Sequence, residues 1–191
     1  GRESMKKIIT EDFFIGNLGD DSLPTQIRKS FEENSTPECD MVMTDKRWND
    51  QYIEDRKVTF SYMSVHQSNY ITQTVESIFH NVNSLIWNFE LTDWQTHIQF
   101  TRYEGKGGHY GWHSDQDDKL IPKGTRKLSL VYCLSKKSDY TGGEFQIKTG
   151  TGKNYTTKFD QGDFIVFPSQ KMHRVKPLKS GKRFTMVAWY R

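Results

Sequence analysis

Two histidines and one aspartate stand in this sequence where they could hold a metal. His113-Ser114-Asp115 follows a Gly-rich turn at the end of a strand, and the i, i+2 spacing of extended backbone points the imidazole and the carboxylate to one side. His173 comes sixty residues later, after a turn that closes the apolar segment 163–168. Two imidazoles and one carboxylate on one face of a metal leave coordination positions open, which is the geometry of non-haem Fe(II) oxygen chemistry. Arg183 lies ten residues beyond His173, and Thr185 projects to the same strand face. A cation and a hydroxyl so placed could together hold a distal carboxylate. Taken singly the signals are weak: an H-x-D pair is as readily a polar turn, and Arg183 alone a surface charge at a strand end. A zinc hydrolase or a cupin-like binding module can also use His and Asp on a barrel. His66, His80 and His97 sit in or beside ordinary helix and strand segments and read as structural.

The elements that position these residues fit one domain. The 191 residues predict a single domain over 5–191, with Gly1 to Ser4 as the remnant of an expression tag. A mean hydropathy of −0.80 alone would suit a disordered chain, but 5 Trp, 9 Tyr and 12 Phe supply the apolar area of a core. The net charge of +3 comes from dispersed Lys and Arg, which gives a nucleic-acid surface little footing. Cys39 and Cys133 are too few and too far apart for a disulfide framework or a Cys-rich zinc site, so a reducing compartment is expected. No run approaches the ~18 apolar residues of a membrane span. The expectation is a cytoplasmic protein without a membrane partner.

Along the chain, a strand-like stretch at 6–15 precedes a helix in which Leu23, Ile27 and Phe31 recur at four-residue spacing behind a cap at Asp21 or Ser22. The polar stretch from Pro37 to Arg56, with Trp48 and Tyr52, reads as a lid. A strand at 57–65 leads to a second helix over 69–89, whose broad apolar face is Val75, Ile78, Phe79, Val82, Leu85, Ile86 and Phe89. From Trp94 the period changes to two, predicting strands at 96–103, 126–134, 143–148, 155–159, 163–168, 173–178 and 183–190. This is a mainly β protein with flanking α, two sheets forming a sandwich or open barrel with the helices packed on one of them.

The motifs Tyr110-Gly111-Trp112-His113-Ser114-Asp115, Gly142-Gly143-Glu144-Phe145, Gly162-Asp163-Phe164-Ile165-Val166-Phe167-Pro168, Met172-His173-Arg174-Val175 and Gly181-Lys182-Arg183-Phe184 occur in this order over roughly Trp94 to Tyr190. Together with Arg102-Tyr103 upstream they resemble the Fe(II)- and 2-oxoglutarate-dependent dioxygenases, and within them the prolyl 4-hydroxylase and prolyl/lysyl hydroxylase-like group. The resemblance implies a double-stranded β-helix, the cupin-like jelly roll. It implies Fe(II) ligands at His113, Asp115 and His173, a cation for the far carboxylate of 2-oxoglutarate at Arg183, and a cosubstrate hydrogen bond from Tyr103. Animal-type prolyl hydroxylases often carry a second cosubstrate tyrosine where Cys133 stands, which leaves Thr185 or a water as the other contact. Strand parity places Ser129, Val131 and Cys133 toward the pocket and Leu128, Leu130, Tyr132 and Leu134 toward the helices.

The activity so implied is hydroxylation of an unactivated C–H with conversion of 2-oxoglutarate to succinate and carbon dioxide, with ascorbate as a reductant. A peptidyl proline is the expected target, contacted by Arg126, Tyr110 and Trp112; a free amino acid, another small molecule or a nucleic acid are the alternatives. Glu54 and Phe60 occupy positions where animal-type enzymes carry a substrate-contacting arginine and tryptophan, and the charge of Glu54 favours a neutral or basic peptide. Trp189 is expected beneath the cosubstrate as core.

Overall fold

A computed structural model describes residues 7–34, 41–42, 56–64, 69–93, 97–116 and 125–191. The described elements are β1 (Ile8–Ile9), β2 (Phe14–Asn17), α1 (Ser22–Asn34), β3 (Met41–Val42), β4 (Arg56–Lys57), β5 (Thr59–Ser64), α2 (Asn69–Ile86), β6 (His97–Glu104), β7 (His109–His113), β8 (Leu128–Cys133), β9 (Tyr140–Gly142), β10 (Phe145–Lys148), β11 (Asn154–Thr157), β12 (Asp163–Pro168), β13 (His173–Val175) and β14 (Leu178–Tyr190). The larger sheet runs β1-β2-β12-β8-β14-β6-β5-β3, with β9 paired to the start of β14. The smaller runs β11-β10-β13-β7-β4. The ladders are antiparallel, so each strand keeps one face inward at every second residue.

Both helices pack on the larger sheet. The α1 start is capped by Asp20, whose Oδ1 accepts the backbone N–H groups of Ser22 (3.0 Å) and Leu23 (3.3 Å), one residue earlier than the expected cap. Pro24 follows in the first turn, where a missing N–H costs nothing. On α2, Ile71, Val75, Ile78, Phe79 and Val82 are buried against the sheet. Leu85 and Phe89, expected on that face, are 59% and 38% exposed. The buried stripe instead continues from Ile78 through Val82 to Ile86, and the helix ends before Phe89. Asn88 takes a left-handed φ of 52° and donates to the Asn83 carbonyl, while the Asn83 side chain bonds both backbone groups of Phe89. No helix among the described residues is long and apolar enough to cross a membrane.

The parity expected for β8 is the parity found. Leu128, Leu130, Tyr132 and Leu134 join the helix-side core, whereas Val131 and Cys133 join a second core with Phe145 and Ile147 of the smaller sheet. That second core lies between the sheets, as in a jelly roll. Three expectations need correction. β7 is a strand that the expected set lacks, because His-Tyr-Gly-Trp-His shows no alternation and carries a bulge. The expected strand 173–178 stops at Val175, ahead of Pro177, which has no N–H to give to a ladder. β14 begins at Leu178 rather than Arg183 and passes through Gly181, which reads as a turn but sits in the strand at φ 79°. A Cβ there would overlap the Asp139 carbonyl oxygen, so only glycine admits β9 alongside. Within the polar stretch 37–56, β3 pairs with β5 and β4 with β7; the remainder, including Trp48, Tyr52 and Glu54, lies outside the described residues.

Candidate active site

β7 and β13 are neighbours, and His113 stands opposite His173 in the ladder. The next pair is Val175 with Tyr110, so β7 carries one extra residue between the two pairs. The His113 Nδ1 lies 2.7 Å from the Gly111 carbonyl and the His173 Nδ1 2.9 Å from that of Lys171. A carbonyl only accepts, so each Nδ1 carries a proton and each neutral ring presents the Nε2 lone pair. Both Nε2 atoms point to Asp115 Oδ1, each at 3.4 Å. These three ligand atoms lie within 4.8 Å of one another, close enough to share one ion.

The other carboxylate oxygen is already occupied. Asp115 Oδ2 accepts from Ser129 Oγ at 2.6 Å and from the Trp189 indole at 3.0 Å, which leaves Oδ1 as the oxygen turned to the imidazoles. The Asp115 N–H donates to Ser169 O, and Ser129 Oγ is also 2.9 Å from Ser169 Oγ. Burial opposes ionisation of Asp115, but the charge of His173 and the hydrogen bonds of both imidazoles hold its carboxyl well below the usual range. Burial pushes His113 down to about 4, aided by the His173 charge. Burial also works against the charge of His173, yet Asp115 overcomes it and raises that imidazole. The raised imidazole of His173 thus favours a proton facing the carboxylate, in the place a divalent cation would take. Two imidazole nitrogens and one oxygen, with the second oxygen tied back, form a donor set suited to Fe(II).

On β14 of the larger sheet, Arg183 is 1% exposed. It stands opposite Tyr103 in the β14–β6 ladder, with its guanidinium 5.1 Å above the Tyr103 ring. Its Nε and Nη2 have no hydrogen-bond partner among the described residues, and no carboxylate there pairs with it. Nε–H and one Nη2–H point in parallel from one edge of the guanidinium, the edge that grips a carboxylate bidentately. A buried cation left so is costly by several kcal/mol unless an anion answers it. Thr185, on the same face two residues on, is buried between Cys133 and Thr101 of the adjoining strands. Cys133 offers no second phenol: burial raises its thiol to about 11, and its Sγ lies 3.4 Å from Ser135 O.

The structure keeps Tyr110 at the cluster and moves two other expected substrate contacts elsewhere. The Tyr110 ring stacks on His113 with centroids 3.5 Å apart. The bulge that brings them together turns Trp112 the other way, between Arg174 (4.7 Å) and Lys148 (5.0 Å) on the outer face of the smaller sheet. Arg126 is 4% exposed, donates to the Asp115 carbonyl at 3.3 Å and lies 3.9 Å over the Trp189 ring. Its contacts are thus with the turn that carries Asp115. Phe60 lies on β5 opposite Thr101, its side chain outside the described residues, as is Glu54. Sequence reasoning gave no role to Ser169 and missed the indole bond of Trp189. Only the parity of β8 hinted at Ser129.

Residues 98–191 match the 2OG-Fe(II) oxygenase superfamily. A PKHD-type hydroxylase of Prochlorococcus marinus is 36% identical over 107 residues, 56% of this chain and 47% of that protein. The chain thus spans about half the length of the curated relatives it matches. Among solved structures, the prolyl hydroxylase of Trichoplax adhaerens, in complex with a peptide fragment of the hypoxia inducible factor oxygen degradation domain, superposes with a TM-score of 0.72 at 20% identity, covering 95% of this chain and 84% of that one. The non-haem alpha-ketoglutarate-dependent carbocyclase SnoK from nogalamycin biosynthesis reaches 0.71 at 11% identity, covering 94% and 79%. At such identities these two likenesses establish the fold, which leaves the substrate open. The stretch matched by the superfamily begins at the second residue of β6, ends at Arg191 and contains every side chain of the two clusters just described; on that ground residues 98–191 belong to the 2OG-Fe(II) oxygenase superfamily.

Proposed function

We propose that this chain hydroxylates a prolyl residue of a peptide or protein with Fe(II) and 2-oxoglutarate. The observation that carries the reading is the buried Arg183 edge that has no partner among the described residues, on the same strand as the indole that ties back Asp115. When bound, the metal and cosubstrate supply the oxidising chemistry: with dioxygen, 2-oxoglutarate becomes succinate and carbon dioxide while one C–H becomes C–OH. The protein's own part is to bind, orient and exclude water. His113, Asp115 and His173 hold the metal on one side, and Ser129 and Trp189 keep Asp115 Oδ1 facing it. Arg183 takes the far carboxylate, with Thr185 as a second contact and Tyr103 as a hydrogen-bond donor to the cosubstrate. Tyr110 covers His113 with a flat ring against which a proline can lie, and proline's fixed backbone loses little entropy on binding.

The prolyl reading draws on the relatives' names and on the peptide complex of the Trichoplax adhaerens neighbour. Succinate formation should be assayed against proline-containing peptides and free amino acids, with mass spectrometry for a gain of one oxygen. Peptides with Lys or Arg near the proline should stimulate more than acidic ones. Stimulation by free amino acids with no active peptide would replace this reading with a small-molecule one. Arg183→Ala should weaken 2-oxoglutarate by about 2–5 kcal/mol, at least about 30-fold, since one partner of a buried charge pair is removed. Equal cosubstrate affinity in wild type and variant would contradict the role of Arg183.

A further inference from the structure

Resting on the 2-oxoglutarate reading, we propose that Tyr140 is a positioning residue for the cosubstrate: brought beside Arg183 by the Gly181 close approach, its phenol fixes the guanidinium so that the Nε–Nη2 edge faces the far carboxylate. Tyr140 opens β9 and pairs with Gly181 in the ladder, two residues before Arg183. A Cβ on Gly181 would overlap Asp139 O and come within 2.8 Å of the Tyr140 Cα, so the absence of a side chain sets the phenol's position. The ring is buried in the core between the sheets. Its hydroxyl donates to Phe159 O at 3.3 Å, which leaves the oxygen's lone pairs to accept, and Arg183 stands on the same strand face two residues beyond its ladder partner Gly181, its charge acting on the phenol. Lys158 secures the residue from outside, its ammonium donating to Tyr140 O at 2.6 Å and lying 4.3 Å over the ring.

This contact has a definite use. An arginine side chain is long and rotamer-rich, and ordering it on ligand binding weakens affinity. The Tyr103 ring beneath the guanidinium supports its plane without fixing its rotation within that plane. A hydrogen bond from one side does fix it, and Nε with Nη2 is the edge left without a partner. Cys133 thus needs no tyrosine at its position, because a phenol arrives from the neighbouring strand.

The test is anaerobic calorimetric titration of the Fe(II)-loaded protein with 2-oxoglutarate and with 2-oxopentanoate, which has a methyl group in place of the far carboxylate. Tyr140→Phe keeps the ring and should weaken 2-oxoglutarate about tenfold, the scale of one hydrogen bond to a charged group. Affinity for 2-oxopentanoate and for Fe(II) should stay within about twofold. Unchanged 2-oxoglutarate affinity, or equal weakening of both keto acids, would overturn the proposal. Tyr140→Leu is judged by the same ratio of the two affinities, which cancels any loss of folded protein. Should Arg183→Ala bind 2-oxoglutarate as wild type does, the cosubstrate reading itself falls; loss in Arg183→Ala without loss in Tyr140→Phe sinks Tyr140 alone.

Discussion

Trp189→Phe isolates the tie that orients the carboxylate proposed to hold the metal. The indole N–H donates to Asp115 Oδ2 at 3.0 Å, and phenylalanine keeps most of the buried ring while deleting that donor. A hydrogen bond to a charged group contributes about 1.5–3 kcal/mol. Arg126, 3.9 Å over the indole and bonded to the Asp115 carbonyl, retains part of its stacking on a phenyl ring, so this second loss is a fraction of ~1 kcal/mol. Ser129 Oγ still holds Oδ2 at 2.6 Å, so the carboxylate loses part of its restraint and keeps the rest. A net weakening of about 2 kcal/mol, or roughly 30-fold, is expected in Fe(II) affinity, within the range usual for groups that orient metal ligands. Anaerobic competition titration against a chelator of known affinity measures it. Trp87 supplies the control, since its indole donates to Glu11 O at 2.8 Å, outside both clusters. Trp87→Phe should cost ~1 kcal/mol of stability and leave metal affinity within twofold. A folded Trp189→Phe with wild-type Fe(II) affinity would refute the claim that the indole orients Asp115.

The triad should also leave its mark on pH behaviour. Metal must displace the proton from His173, so Fe(II) affinity should fall as pH drops below that imidazole's raised pKa, a trend that anaerobic titrations across pH would miss only if the proton lay elsewhere. In the metal-free protein, His173 adds stability that is complete below the ordinary histidine value and disappears as pH rises through its own higher one. His113, lowered to about 4, adds stability that is lost as pH falls from the ordinary value toward 4, so the pair's contribution peaks near the ordinary value. Asp115→Asn should abolish the loss on the alkaline side in urea melts; its persistence would assign that loss to another group. Gly181→Ala forces a left-handed alanine against Asp139 O and should cost about 2–5 kcal/mol in the same melts, whereas a variant within 0.5 kcal/mol of wild type would show that β9 can move aside.

The parts of this molecule legible in its sequence are those set by residue type at a fixed period. The β8 alternation separates Leu128, Leu130 and Tyr132 from Ser129, Val131 and Cys133, and parity also placed Arg183 with Thr185. His113, Asp115 and His173 stood out because few residue types can ligate a metal, and their convergence follows from the β7–β13 ladder. What escaped depends on register and on distant segments. The bulge in β7 has no signature in His-Tyr-Gly-Trp-His, so nothing there separates the Tyr110 that meets His113 from the Trp112 that faces Arg174. Arg126 is expected at the substrate, and its place over the Trp189 ring depends on a residue far along the chain. Tyr140 is one aromatic before a Gly-Gly pair; its value depends on how close a second strand can come.

Strand β14 has a consequence for what can be lost separately. Arg183, Thr185 and Trp189 occupy alternate positions of one strand whose other parity, Phe184, Met186, Ala188 and Tyr190, fills the helix-side core. It is hydrogen-bonded on both sides, to β6 and to β8. A deletion of one residue between Thr185 and Trp189 would exchange the two sets beyond it, turning an indole toward the helices and a core residue toward Asp115. Reading frame within the strand is therefore shared property of the hydrophobic core and the chemistry. A lineage that kept the fold would keep the spacing of the site with it, while a change at a single position could remove the chemistry and leave the fold intact.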